Sequence, residues 1–402
     1  MVEAIISFIL KYKFIILFYC SIIIFLLIKR KQLDIQSKII VLYRMKWGLR
    51  WMDKYSQKLR EWIIVTGYIG VGGGFIGLVA ISYILIKNLF DLVTKPEITS
   101  GVSLVLPGVN VPGLGVLPFW YWLMAIFIIA IVHEFAHGIV ARAHNVEVKN
   151  TGIVFFGPII GAFVEPDEKK MRKEKDITQY SILAAGAFSN ILLAIIAVTL
   201  LNLVFVPLQQ TMVEPQGFTF DTYFGKEYPF EKAGIMPGTT ITAIDGTPTT
   251  DITQLSQTLF CSKPGDVVTI KTHSKTQQIT LAESPDNPTK GFMGISTPRN
   301  QFTVKDQYQH GFGKVVYYSL EWMNGLGNNG KGFLFWLYVL SFGIGLFNLL
   351  PLPIVDGGRM AQVFLHRLKG PEKGELRYRQ ISIFFVLILL FNLLFPLFGK
   401  LW

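Results

Sequence analysis

Charge is scarce in this sequence. Only 16% of its 402 residues are Asp, Glu, Lys or Arg, whereas 51% are apolar. Uncharged stretches of span length recur, so water cannot be the solvent for most of the chain. Cysteine is scarcer still: Cys20 and Cys261 are the only two, which excludes a disulfide framework and a thiolate zinc cage. Cys20 lies in an apolar run and Cys261 in a polar region, so both are expected as packing residues rather than as a bridge. The net charge of +11 does not imply a nucleic-acid partner. Its basic residues cluster beside the apolar runs, where positive charge instead sets orientation in a bilayer. The chain reads as a multi-pass integral protein of the cell membrane, with lipid as its first partner.

What is there begins with six apolar stretches, at about residues 5–28, 62–86, 119–142, 182–206, 333–350 and 381–398. The first is long, starts almost at Met1 and lacks a small-residue cleavage site, so it reads as an uncleaved anchor rather than a signal peptide. Lys29, Arg30 and Lys31 follow it directly. Lys169, Lys170, Arg172, Lys173 and Lys175 follow the third stretch, and Arg359, Arg367, Lys369, Lys373, Arg377 and Arg379 flank the fifth. Placing these loops in the cytoplasm gives about six spans with both ends outside. The expected organisation is an anchor and basic cytoplasmic loop (1–60), a transmembrane core (61–206), an extracytoplasmic domain (207–310) and a second transmembrane portion (311–402). The Pro/Gly/Val stretch 96–118 reads as a lip or re-entrant loop, and the aromatic segment 312–327 as an interfacial one.

The third span carries the informative residues. His133-Glu134-Phe135-Ala136-His137 is H-E-x-x-H, and on a helix its two histidines fall one turn apart on one face, within reach of a single zinc ion. Glu134 then stands beside the metal, where a carboxylate can take a proton from water and pass it to a leaving amine. Two histidines and a glutamate at hydrocarbon depth are costly unless they hold an ion or line a wet cavity.

Catalytic zinc takes a third protein ligand. A downstream histidine at metzincin spacing is absent, because Val140 and Ala143 occupy those positions and His144 comes one residue late. Glu165 is one candidate, although it follows a Gly-rich segment and needs a return path. Asp356 is another. It ends the run Asn348-Leu349-Leu350-Pro351-Leu352-Pro353-Ile354-Val355-Asp356-Gly357-Gly358, in which two prolines break a helix and a turn can aim a carboxylate sideways into a bundle.

H-E-x-x-H in one span, followed much later by N-x-x-P-x-P-x-x-D-G at the end of another, resembles the site-2 protease family of intramembrane zinc metalloproteases. The resemblance implies one zinc ion held by His133, His137 and Asp356, with Glu134 as general base. Asn348 matches the leading asparagine of the motif, a neighbour of substrate or of a developing oxyanion. In Ala185-Gly186-Ala187-Phe188-Ser189-Asn190 the family's usual A-G-P-x-x-N has Ala187 in place of proline, and Asn190 is expected near the site. The run from Gly152 to Val164 reads as two short strands around Gly157-Pro158. The resemblance makes it a re-entrant β-hairpin that pairs with unwound substrate, with Gly157 and Gly161 as candidate substrate-binding positions. The alternative is an ordinary cytosolic hairpin.

Between residues 217 and 298 short β-rich runs alternate with turns. The stretch Ala233-Gly234-Ile235-Met236-Pro237-Gly238-Thr239-Thr240-Ile241 through Ile244-Asp245-Gly246 resembles the signature of protease-associated PDZ-like domains, with Thr239 in place of the usual acid. A small inserted α/β module is expected, with a helix at 250–259 and strands at 266–272 and 278–281. Gly217-Phe218 stands where a loop holds a peptide carboxylate, and the strand after it is the expected edge for a peptide end. Filtering of bulky ectodomains and simple bracing are the alternatives.

The resemblance implies intramembrane proteolysis of membrane-protein or signal-peptide substrates. A zinc transporter or sensor would give Glu134 no task, and a scaffold with a decayed site is at odds with the complete motif set.

Overall fold

The computed structural model describes residues 2–36, 40–94, 105–111, 113–156, 159–249, 251–285, 287–328 and 330–398. The chain forms two compact units, Met1–Ile196 with Trp336–Trp402, and Ala197–Phe335.

The first unit is built on long apolar helices, the form in which a chain satisfies its backbone polar groups without water. They are α1 (Val2–Lys29), α3 (Arg60–Thr94), α4 (Phe119–Ala143) and α5 (Asp176–Leu200), with a short polar helix α2 (Leu49–Lys58) ahead of α3. Buried Gly67, Gly70, Gly74 and Gly77 recur at helical spacing along α3. This small-residue face meets Ser181, Ala184 and Phe188 of α5, as helix contacts in lipid favour. Val71, Val140, Ala141, Leu183, Ala184, Leu349 and Met360 join one core around it.

Between α1 and α5 lies an antiparallel sheet of β1 (Leu33–Gln36), β2 (Ile40–Met45), β3 (Val148–Phe156) and β4 (Ile159–Pro166), in that order. The β3–β4 hairpin is the one expected, with Gly152 opposite Phe163 and Val154 opposite Gly161; Gly157 lies outside the described residues. The hairpin does not stand alone. The segment expected as a plain basic loop contributes β1 and β2, because Ile40–Met45 is an apolar, partly β-branched run that pairs with β3 from Phe156 to Thr151. β4 is left at the edge and lies against α4.

The second unit holds a sheet of β5 (Val213–Tyr223), β6 (Ile241–Ile244), β7 (Val267–Thr272), β8 (Thr276–Thr280) and β9 (Ile295–Val304), ordered β8-β7-β6-β5-β9. The short helix α6 (Ile252–Thr258) starts at Asp251, whose carboxylate accepts the Gln254 N–H. Phe218, Phe220, Phe230, Ile241, Ile244 and Ile270 are fully buried between these elements. The helix and strand positions match expectation to within about two residues, with position 250 outside the described residues. The edge does not match. β9 pairs with β5 from Val304 opposite Val213 to Ile295 opposite Tyr223, and β6 meets the other side of β5 at Phe218. The strand after Gly217-Phe218 is therefore interior, and β9 and β8 are the edges of this sheet.

The rest of the chain forms α7 (Gly311–Asn324), α8 (Phe333–Phe347), α9 (Asp356–Lys369) and α10 (Pro371–Phe398). Among the described residues five helices are long and apolar enough to cross a membrane, or six if α7 and α8 count as one broken span. The expected fifth span ends early. α8 has 15 residues, about 22 Å at the helical rise, against a hydrocarbon core of about 30 Å. Both cysteines are free and exposed, so neither is the packing residue expected.

Candidate metal centre

The site is assembled where α8 breaks. Asn348 follows the end of α8, and Val355 in extended conformation (φ −120°, ψ 165°) caps α9, so that Asp356 is the first residue of a new helix. The connection is tight: the Gly357 N–H donates to the Asn348 carbonyl at 2.7 Å, and a Cβ on Gly357 would stand 2.2 Å from the Leu349 carbonyl oxygen. Only glycine permits this approach, which accounts for the D-G-G run.

The break delivers Asp356 to the histidine face of α4. Asp356 Oδ2 lies 3.2 Å from His133 Nε2 and 3.3 Å from His137 Nε2, and the two Nε2 atoms are 3.2 Å apart. Tetrahedral ligands at zinc bond lengths of about 2.0–2.1 Å are separated by about 3.3–3.4 Å, so the triangle already has the edge lengths of a zinc ligand set. The protonation pattern agrees. His137 Nδ1 lies 2.7 Å from the Ile182 carbonyl, which can only accept, so the proton sits on Nδ1 and the Nε2 lone pair faces the triangle. With Nδ1 protonated in both rings, the two Nε2 lone pairs and the Asp356 carboxylate converge on one point, a donor set that a cation fits.

Asn190 supports the other imidazole. Its side-chain amide is 3.1 Å from His133 Nδ1, and its backbone carbonyl accepts from Ser341 Oγ at 2.8 Å. The structure sets Asn190 Nδ2 toward the ring and leaves its buried Oδ1 without a partner; exchanging the two amide positions lets Oδ1 accept the Nδ1–H and fixes the same tautomer, the role outer groups play at metal-bound histidines. Gly186 lies under both rings. A Cβ there would stand 2.3 Å from His137 Nε2 and 2.5 Å from His133 Nε2. Gly186 and the Ile182 carbonyl were not singled out in the sequence; the A-G-x-x-x-N spacing carried the signal for Gly186, and nothing carried it for a backbone carbonyl.

Glu134 sits one residue along α4. Its Oε2 accepts the backbone N–H of Val164, on β4, at 2.8 Å. A cavity of about 370 Å³ joins these groups, lined by His133, Glu134, His137 and Asp356 together with Asn190, Asn348, Gly161 and Arg359. Asn348 and Gly161 are thus brought to the site. Glu165 is not: its carboxylate accepts from Asn150 at 3.0 Å and Arg44 at 3.3 Å. It is a bridge across the sheet, and of the two ligand candidates Asp356 is the one that joins the histidines.

Fold and donor set together define a helical membrane protein with a metal centre of the zinc type. The sequence pattern of Peptidase family M50 matches residues 121–393, from the start of α4 nearly to the end of α10. A protein named Zinc metalloprotease RasP, from Geobacillus kaustophilus, is 24% identical over 224 residues, 47% of this chain and 50% of that one. Uncharacterized protein MJ0971 of Methanocaldococcus jannaschii is 34% identical over 88 residues, 22% of this chain and 24% of that one. The chain therefore matches half or less of the length of these relatives. It belongs to Peptidase family M50, and with its five or six apolar helices it is an integral membrane protein.

Proposed function

We propose that this chain is an intramembrane zinc metalloprotease that hydrolyses peptide bonds in membrane-spanning segments or signal peptides. The observation that carries the reading is the triangle of His133, His137 and Asp356 with Glu134 beside it, in a cavity whose other wall is a strand edge. A zinc ion held there supplies Lewis acidity and makes water a usable nucleophile near neutral pH.

The residues divide the remaining work. Glu134 accepts the proton of the attacking water and returns it to the leaving amine nitrogen. Its carboxylate is oriented for this by the Val164 N–H. Asn348, on the same cavity wall, donates to the oxygen on which charge develops.

A transmembrane substrate arrives as a helix, whose peptide bonds are shielded by its own turns. β4 offers the remedy. Because Val164 directs its N–H away from β3, alternation along the strand directs the backbone groups of Ile160 and Ala162 the same way. A segment unwound onto this edge exchanges its helical hydrogen bonds for strand ones beside Glu134. On this reading the β3–β4 hairpin is re-entrant, Gly161 keeps its outer face open to substrate, and the basic loops are cytoplasmic. Residues 207–310 then form an extracytoplasmic PDZ-like module, and the edge available to a peptide end is β9 rather than β5.

The test is Glu134→Gln in the purified full-length protein. The variant should keep stoichiometric zinc and lose at least about 1,000-fold in cleavage of a membrane-spanning reporter. Zinc flux across vesicles with no cleavage by the parent protein would reject the reading.

A further inference from the structure

A second chamber, of about 620 Å³, adjoins the metal cavity. Its walls are α1, α4 and the sheet, and it shares Ile126, Ala130, Glu134, Ile160, Gly161 and Val164 with the first. The helical repeat explains why Glu134 stands between them. Positions 126, 130, 133 and 137 follow one face of α4 toward the metal, and 127, 131 and 134 follow the neighbouring face toward the chamber. Apart from Glu134, the polar side chains of its lining are Ser21 and Thr151. Both hydroxyls are engaged by backbone, Ser21 to the Phe18 carbonyl at 2.6 Å and Thr151 to the Trp47 carbonyl at 2.7 Å. The chamber is therefore lined mainly by hydrocarbon, and Glu134 is its one ionisable side chain.

We infer that this chamber is the specificity pocket of the protease, and that it takes a large apolar side chain of the substrate residue next to the cut bond. The inference rests on the proposed proteolysis. Successive side chains of a strand point to opposite faces, so a segment laid on β4 sends one neighbour of the scissile bond toward the metal cavity and the other into the chamber. Continuity of the two spaces at Glu134 places that second side chain within one residue of the reacting carbon. Leucine or phenylalanine fills space there that alanine leaves empty, and because the segment comes from lipid the gain is one of packing contacts, a preference of roughly 30-fold. An acidic residue at the same position is disfavoured, since the lining holds no basic side chain and its one ionisable group is the Glu134 carboxylate.

Phe127 and Ile131 form the α4 wall, and Phe18, Ile22 and Phe25 the α1 wall. α1 is held by ring contacts, Phe18 with Phe119 at 5.9 Å and Phe25 with Tyr43 at 5.3 Å. Both walls are thus open to substitution without touching a metal donor.

The experiment uses the zinc-loaded full-length protein in lipid nanodiscs and synthetic membrane-spanning peptides that differ only in Ala, Leu, Phe or Trp beside the cut. The parent protein should favour Leu and Phe over Ala by roughly 30-fold in kcat/KM. Ile131→Trp, which narrows the chamber on its α4 wall one turn from Glu134, should bring that ratio to within about 3-fold while still cutting the Ala peptide. An unchanged ratio in this variant overturns the inference. If Ile131→Trp fails to retain zinc, Ile22→Ala on the opposite wall decides: it should raise cleavage of the Trp peptide relative to Leu by about 5-fold, and no rise overturns the inference. A photo-crosslinking residue at Phe18 in the Glu134→Gln background reads occupancy without cleavage. Capture of the peptide supports the pocket, and capture of lipid alone overturns it. Peptide capture by a zinc-loaded parent protein that cuts none of the peptides would instead reject proteolysis and leave the pocket standing.

Discussion

Val164 and Glu134 are joined by a 2.8 Å hydrogen bond from strand backbone to helix carboxylate, so the edge of β4 and the acid of H-E-x-x-H move as one piece. Replacing Val164 with proline removes this donor and trims a side chain packed on the core, but leaves the ladder to β3 intact, because the N–H points away from β3 and proline is tolerated on an outward edge. Val164→Pro should retain zinc and thermal stability while peptide cleavage falls by about 10- to 100-fold, the range for a hydrogen bond to a charged group. Unaltered cleavage at full zinc content would mean that the carboxylate needs no such orientation.

Gly186 gives the sharpest steric test. A single methyl group there would stand 2.3 and 2.5 Å from the two histidine Nε2 atoms, inside the space that the metal requires. Gly186→Ala should weaken zinc binding by about 100-fold or more, read by metal analysis after dialysis against a competing chelator, with helix content by circular dichroism unchanged. Full zinc retention would show that the rings can swing aside and that the donor triangle is less rigid than its packing implies.

The parts of this molecule legible in the sequence are those written in local periodicity. H-E-x-x-H on an apolar helix announces its own geometry, and the prolines and glycines around Asp356 announce a break, so three donors from two distant segments were found in the linear chain. The residues alone leave Glu165 beside Asp356 as third ligand, and the family resemblance decides for Asp356. Asp356 and Glu165 are both carboxylates near broken segments, and only tertiary contacts turn Glu165 toward Arg44 and Asn150. β1 and β2 were hidden for another reason: the basic residues around Ile40–Met45 signal loop orientation strongly, and a six-residue strand signals itself weakly. The edge of the second sheet depends on which strand returns to lie beside β5, a long-range pairing with no local mark.

The sheet should also loosen in acid. The Arg44 guanidinium, with help from Gln36, holds the Asp34 carboxyl below the ordinary carboxylate range. Arg44 is shared with Glu165, so the charge ties β1 to β4 across the sheet. A carboxylate whose pKa falls on folding stabilises the native contact above its unfolded value and loses that contribution as pH drops through the lowered one. Amide exchange in β1, corrected for intrinsic rates, should therefore be protected at neutral pH and accelerate below the usual carboxylate range. Asp34→Asn should show the faster exchange at both pH values, and pH-independent protection in the parent protein would discount the pair.

Asn190 separates a packing amide from a partner of the metal site, because its two neighbours ask different things of it. Its carbonyl contact with Ser341 is made by backbone and survives any substitution of the side chain. The side chain faces His133 Nδ1 at 3.1 Å. If it serves the imidazole, what matters is an acceptor at that point. Asn190→Ala should lower zinc affinity by about 10- to 100-fold, whereas Asn190→Asp, an acceptor of nearly the same size, should keep it within a few-fold of the parent or strengthen it. A packing role predicts the reverse order, since a buried carboxylate without a donor is the more disruptive replacement. Competitive zinc titrations of the two variants, run beside their melting temperatures, distinguish the outcomes without any assay of proteolysis.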